Sequence, residues 1–192
     1  MAKKSMPISN DFCPQTLFLY GTYKEDGTPN FGLFCWISYY WDSQLGIMAC
    51  IEGKKLTKDR IHANGIFSAN LVTQALLPLA DKLGNTEGYS NQKSSIPLTT
   101  EKGQVLDVPI LSQSPVAFEL EVAQSIQLDS GEIFLCKIRN VLVDETLTQG
   151  EDIETLMRRI APVCTTCSTY FSWNGESLGA WGFPQEKWTA EI

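Results

Sequence analysis

The sequence predicts a mainly β protein, an antiparallel barrel or sandwich decorated by a few short helices. Three observations lead there. Six or more segments are rich in β-branched and aromatic residues, and the later ones alternate apolar with polar side chains as strands with one wet face do. Only two or three stretches carry helical spacing, and they do not alternate with strands in β-α units. The glycine-rich phosphate fingerprints of Rossmann and P-loop folds are absent.

The elements follow in order. "TLFLYGTYKEDGTPNFGLFCWISYYW" reads as a hairpin, with strands over 17–23 and 31–41 flanking Asp26-Gly27, a pair suited to the positive φ of a tight turn. "LGIMACI" (45–51) is a third strand. A helix begins at Thr57, which can cap it, carries Asp59 in its first turn and stops at Asn64-Gly65. "IFSANLV" (66–72) returns to strand, and Leu76, Leu79, Ala80 and Leu83 give residues 74–84 a helical pattern whose start Pro78 limits. Residues 84–115 turn polar and irregular, which in a compact domain points to a functional segment or lid. Val116, Phe118, Leu120 and Val122 then alternate against Glu119 and Glu121. After the Asp129-Ser130-Gly131 turn, Phe134, Cys136 and Ile138 alternate against Lys137 and Arg139. "EDIETLMRRI" (151–160) is the clearest helix, with Ile153, Leu156, Met157 and Ile160 on one face, acids first and arginines last, and Pro162 beyond its end.

The 192 residues suit a single domain with a core over about 15–180 and no internal repeat. A net charge of −7 argues against nucleic acid or an anionic membrane as general partner. No run reaches the ~18 apolar residues a membrane span needs, and "MAKKSMPISNDF" has no apolar stretch to make it a secretory signal. Six dilute cysteines, three of them (Cys35, Cys50, Cys136) inside apolar runs, are read as buried free thiols in a reducing cytoplasm.

Against that acidic background, Lys54, Lys55, Lys58 and Arg60 gather around Thr57 where a strand passes into a helix. Unpaired N–H groups and the dipole make a helix N-terminus attractive to anions. Gly53-Lys54-Lys55 followed by Thr57 therefore has the chemistry of a phosphate cradle, although spacing alone favours a solvated helix start.

The surrounding residues resemble the flavin reductase-like FMN-binding split barrels, whose members include flavoredoxins and NAD(P)H:flavin oxidoreductases. The resemblance rests on "DGTPNFGLFCW", "KKLTKDRI" and "IFSANLV", where Asp26, Gly27, Pro29, Asn30, Trp36, Lys55, Thr57, Ile61, Phe67 and Asn70 fall in the family's places. "SPVAFELEV", the hairpin to "VLVDE" and "YFSWNGESLG" extend it over most of 15–180. It implies a six-stranded Greek-key split β-barrel, usually a homodimer, with FMN in a groove at or near the subunit interface. It further implies that Thr57 and Lys55, assisted by Lys54, hold the phosphate. Asn30, Phe31, Gly32, Leu33, Phe34 and Cys35 line the ring through backbone groups, and Ala49, Cys50 and Ile51 approach from the next strand. Tyr89, Ser90 and Lys93 are candidates from the later loop. NADH or NADPH would be the electron donor, or a redox protein the partner. No side chain need act as acid or base in such chemistry, so no catalytic residue is assigned. The chain departs from the pattern at Asp42-Ser43-Gln44, where many relatives have a Pro-Pro pair, and at Lys55, often arginine.

Cys164-Thr165-Thr166-Cys167 is a C-x-x-C, which in another setting would be a thiol-redox or zinc motif. It follows a helix instead of opening one, and no second close pair completes a four-cysteine zinc site. No metal ligand set is assigned. His62, the only histidine, is placed at the helix surface, and a Cys-His or Ser-His hydrolase would depend on it alone. The tryptophans read as core and interface residues, with Trp36 a candidate flavin contact and Trp173 or Trp181 candidates for a dimer seam.

Overall fold

The computed structural model describes residues 3–148 and 150–174. The chain runs β1 (Gln15–Thr16), β2 (Phe18–Tyr23), β3 (Pro29–Phe34), β4 (Ile37–Asp42), β5 (Gln44–Glu52), α1 (Leu56–Asn64), β6 (Ile66–Leu71) and α2 (Leu77–Gly84). It continues with α3 (Asn91–Ser94), β7 (Thr100–Lys102), β8 (Pro109–Leu111), β9 (Val116–Gln127), β10 (Gly131–Val143), a 3-10 turn (Glu145–Leu147), α4 (Ile153–Ile160), β11 (Val163–Thr165) and β12 (Tyr170–Ser172).

Seven strands form one antiparallel sheet in the order β3-β2-β6-β9-β10-β5-β4. Its two edges, β3 and β4, are consecutive in the chain, so the sheet curls into a Greek-key barrel split along that seam. Tyr20, Phe67, Leu120, Phe134 and Ile51 fill the interior, with Phe34 of β3 and Ile37 of β4 closing on it from the two edges. A second apolar cluster lies outside, where Leu76, Ala80 and Leu83 of the α2 region cover Leu19 and Phe31. The short helices thus cover faces of the sheet, as the mainly β reading requires.

Several local expectations change. The strand expected over 31–41 breaks at Cys35-Trp36, because the chain exchanges partners there: β3 pairs with β2, and β4 with β5. The Ile37 amide donates to the Cys35 carbonyl at 3.0 Å and Cys50 N–H to the Trp36 carbonyl at 2.9 Å, which together fix a sharp corner. Lys55, not Thr57, occupies the N-cap of α1, with no side-chain cap, while Gly65 ends the helix at φ 69° as its sequence position suggests. Glu119, expected on a wet face, is fully buried. It accepts N–H bonds from Gln104, Val105 and Leu106 and from the Asn140 side chain, so it tethers the β7–β8 connection to the sheet. Ile153 is 69% exposed, since α4 docks on the barrel through Leu156, Met157 and Ile160 only. Asp42-Ser43-Gln44 is the β4–β5 turn, with Ser43 at φ 33°.

The irregular stretch 84–115 is anchored throughout. Beyond α3 and the β7–β8 hairpin, Ser68 Oγ donates to the Pro109 carbonyl at 2.5 Å and Asn70 Oδ1 accepts from Leu111 N–H at 2.9 Å. Among the described residues no helix is long and apolar enough to cross a membrane.

Candidate functional site

The strand β3 alternates sides, as any strand must. Asn30, Gly32 and Phe34 share one side; Phe31, Leu33 and Cys35 share the other. Asn30 is buried and donates its amide to Thr22 Oγ1 at 3.3 Å and Thr57 Oγ1 at 3.0 Å. Phe34 stacks on Tyr20 with centroids 4.7 Å apart. Gly32, between them, lies so close to α1 that an added Cβ would sit 2.7 Å from Thr57 Oγ1 and 2.6 Å from Phe34 Cε2. Only glycine lets the strand and the helix N-terminus approach this closely.

That approach makes a cleft lined by Gly32, Leu33, Phe34, Lys55, Leu56, Thr57, Gly84, Thr86, Glu87, Gly88 and Lys93. Its volume is about 50 Å³, room for a small anionic head with the rest of a ligand lying outside. Two further glycines shape it: a Cβ on Gly84 would meet Leu33 at 2.8 Å, and one on Gly88 would meet Leu56 at 2.8 Å. Lys93 is buried, 7% exposed, and donates its ammonium to the Leu83 carbonyl at 2.7 Å. Burial brings its pKa down to about 8, with Glu87 opposing and Lys24 and Lys55 reinforcing the fall. Among the described residues, Asn30 Oδ1 and Tyr20 Oη are buried side-chain polar atoms with no hydrogen-bond partner. They lie on paired strands, with Asn30 opposite Thr22 and Tyr20 opposite Gly32. A buried polar atom of this kind calls for a partner such as ordered water or a ligand, and of the two only Asn30 is bonded to a cleft residue, Thr57.

The sequence candidates divide accordingly. Gly32, Leu33, Phe34, Lys55, Thr57 and Lys93 meet at the cleft, with Asn30 behind Thr57. The Phe31 side chain is fully buried in the cluster under α2, leaving only its backbone for a ligand. Ala49, Cys50 and Ile51 lie away from the cleft lining. Ala49 is paired on both sides, to Ile37 and Phe134, and Ile51 is fully buried in the barrel. Cys35 turns toward Cys167, its sulfur 3.4 Å from that thiol. Lys54 lies over the Tyr89 ring at 5.3 Å, and Tyr89 donates to Asp59, so this pair clips the 85–90 loop to α1. Ser90 caps α3, accepting from Gln92 N–H at 3.1 Å. Arg60 leaves the basic knot to hold the β2–β3 hairpin, donating to the Tyr23 carbonyl at 3.0 Å and pairing with Glu25 at 3.1 Å.

Leu56, Gly84, Thr86, Glu87 and Gly88 are cleft residues that sequence reasoning missed. The glycines at the end of α2 were the available signal. His62 is half exposed and bonds Glu132 at 2.6 Å, on the side of α1 that meets β10. Trp36 is 39% exposed and outside the cleft lining, and Trp181 lies outside the described residues.

Comparison with known proteins gives this arrangement a family. The sequence model of the flavin reductase like domain matches residues 11–160. A search of curated protein sequences found no match. Among solved structures, the chain is similar to flavoredoxin of Desulfovibrio vulgaris (Miyazaki F), at 27% identity and TM-score 0.82 over 94% of this chain and 98% of that one. It is also similar in fold to flavoredoxin from Methanosarcina acetivorans, at 18% identity and TM-score 0.81 over 97% and 100%. The FMN-binding protein of Thermus thermophilus, solved with p-hydroxybenzaldehyde, aligns at 19% identity and TM-score 0.75 over 94% and 98%. The glycine-shaped cleft between β3 and α1 thus sits in a split barrel of known type, and the chain belongs to the flavin reductase like family.

Proposed function

We propose that this chain is an FMN-binding flavoprotein acting as an NAD(P)H-dependent flavin reductase, a cytoplasmic homodimer whose cleft receives the FMN phosphate. The observation that carries the reading is the Gly32–Thr57 approach. It sets a helix N-terminus, a hydroxyl and two lysines, Lys55 and Lys93, around one small space in a protein of net charge −7. Helix N–H groups and cations together suit a dianionic phosphate better than any neutral group. Bound FMN would supply the redox chemistry, taking hydride from NADH or NADPH and passing electrons to an acceptor. The chain's own part is to hold and orient. Phe34 and Leu33 offer apolar surface at the cleft, and Asn30 fixes the Thr57 hydroxyl. Exposed Tyr39 and Trp41 on the edge strand β4, 57% and 76% accessible, support a second copy as partner.

The first test is the visible spectrum of the purified protein and its titration with FMN. Bound flavin that bleaches rapidly with NADH or NADPH without oxygen supports the reductase. A second reading, a non-enzymatic FMN electron carrier, is favoured by the 27% identity to a flavoredoxin. Bleaching only by dithionite or a reduced protein partner would establish that one instead. Failure to bind FMN would overturn both.

A further inference from the structure

The cysteines associate in space differently from their order in the chain. Cys164 and Cys167 make the C-x-x-C, yet the thiol that meets Cys167 is Cys35, 132 residues earlier, at 3.4 Å between sulfurs. Cys35 stands at the corner where β3 ends and β4 begins, half-buried. Cys167 is exposed in the turn between β11 and β12. Its backbone is held at φ 70°, and its N–H donates to Thr165 Oγ1 at 3.0 Å. Non-glycine residues adopt that backbone conformation only where the surroundings hold them there. Cys164, by contrast, lies inside β11, paired with Thr16 on one side and Phe171 on the other.

We propose that Cys35 and Cys167 form a reversible disulfide site, closed by low-molecular-weight disulfides such as oxidised glutathione and reopened by excess thiol. Closing requires the sulfurs to approach by about 1.4 Å, down to bonding distance. Rotation of the exposed Cys167 side chain within its turn can supply this movement. Exposed Cys167 attacks the glutathione disulfide as thiolate, forming a mixed disulfide and releasing one glutathione thiol. Cys35 then gives up its proton and attacks the Cys167 sulfur, expelling the second glutathione as thiolate, which takes a proton from water. Two protein thiols are oxidised and one external disulfide is reduced. Burial, followed by the neighbouring Cys167, pushes the Cys35 thiol up to about 12, so the first attack falls to exposed Cys167, and Cys35 follows because the mixed disulfide holds a sulfur next to it.

The location gives the bond a consequence. Cys35 directly follows the cleft residues Gly32, Leu33 and Phe34, while Tyr170 of β12 donates to Asp81 on α2 at 2.6 Å, one turn before cleft residue Gly84. A disulfide would therefore join the hairpin covalently to one wall of the cleft while its hydrogen bond holds the other. Thiol pairs of this kind in a reducing compartment respond to redox state and are not permanent staples.

The test uses the full chain in a Cys13→Ser background, which removes the exposed N-terminal thiol. After oxidised glutathione, free thiols should fall by two, peptide mapping should join Cys35 to Cys167, and the melting temperature should rise and return with dithiothreitol. Cys35→Ser should leave glutathione stranded on Cys167, and Cys164→Ser should change nothing. A Cys164–Cys167 link, a glutathione adduct persisting on Cys167 with Cys35 present, or no thiol loss would each overturn the proposal. None of these readouts requires bound flavin.

Discussion

Asn30 on β3 donates its side-chain amide to the hydroxyl of Thr57 on α1 across 3.0 Å, and both residues are buried. Because Thr57 Oγ1 accepts here, its own proton is left for an acceptor in the cleft. Strand and helix are thereby locked beside the space that Thr57 lines together with Lys55 and Lys93.

From this lock follows the behaviour of the double variant Lys55→Ala with Thr57→Ala. Removing a cation and a charge-assisted donor should weaken FMN binding at least 100-fold, about 3 kcal/mol, in a protein that still folds. Thr57→Ser keeps the hydroxyl and should stay within a few-fold of the parent. Titration by flavin fluorescence measures both, and an unaltered affinity in the double variant would move the phosphate elsewhere.

Lys93 makes the same affinity depend on pH. Its pKa is lowered to about 8, chiefly by burial, so the ammonium is present below that pH and lost above it. FMN binding should weaken as pH rises through about 8, by roughly 10-fold where the charge is gone. Stability runs the other way. The unfolded chain holds the proton more tightly than the folded one, so folding gains as pH rises from the folded to the unfolded value. Lys93→Met should bind FMN weakly at every pH and remove the inflection, which isothermal titration at several pH values would show.

Trp41, 76% exposed on the edge strand β4, should be buried by a second copy of the chain. Sedimentation of the parent should give twice the chain mass, and Trp41→Glu should shift it toward the monomer. A parent that sediments as a monomer would remove the dimer from the functional reading.

Period and turn chemistry made most of this fold legible. Asp26-Gly27, Gly65 and the alternation of β9 and β10 are local signals, and each marks its element. The family pattern turned out to mix two kinds of residue. Ile61, Phe67 and Asn70 are core and tether positions, whereas Lys55 and Thr57 line the cleft. What stayed hidden depends on distant partners. No periodicity reveals that Cys35 will face Cys167, that β3 and β4 will part at a corner, or that Gly88 will approach Leu56. Glu119 misled for the same reason, since its neighbours in sequence are strand residues and its partners come from 104–106 and 140.

Glu119 therefore carries a prediction about stability. Its burial alone would raise the carboxyl pKa, but the bonds from Leu106 N–H, the Asn140 amide, Val105 N–H and Gln104 N–H more than offset this and hold it below the ordinary value. A depressed folded pKa means the stabilisation is complete above the unfolded value, about 4.3, and is lost as pH falls through the folded one. Glu119→Gln keeps the shape but turns one oxygen into a donor facing donors. It should cost about 2–3 kcal/mol at neutral pH, more than a half-exposed Glu121→Gln control, which loses only its surface ion pair with Arg139 and should cost at most about 1 kcal/mol. Because the substitution removes the titrating group, the gap between parent and variant should narrow in urea unfolding below about pH 4. A gap that stays constant from neutral to acid would mean that the loss comes from packing and not from the carboxylate's charge.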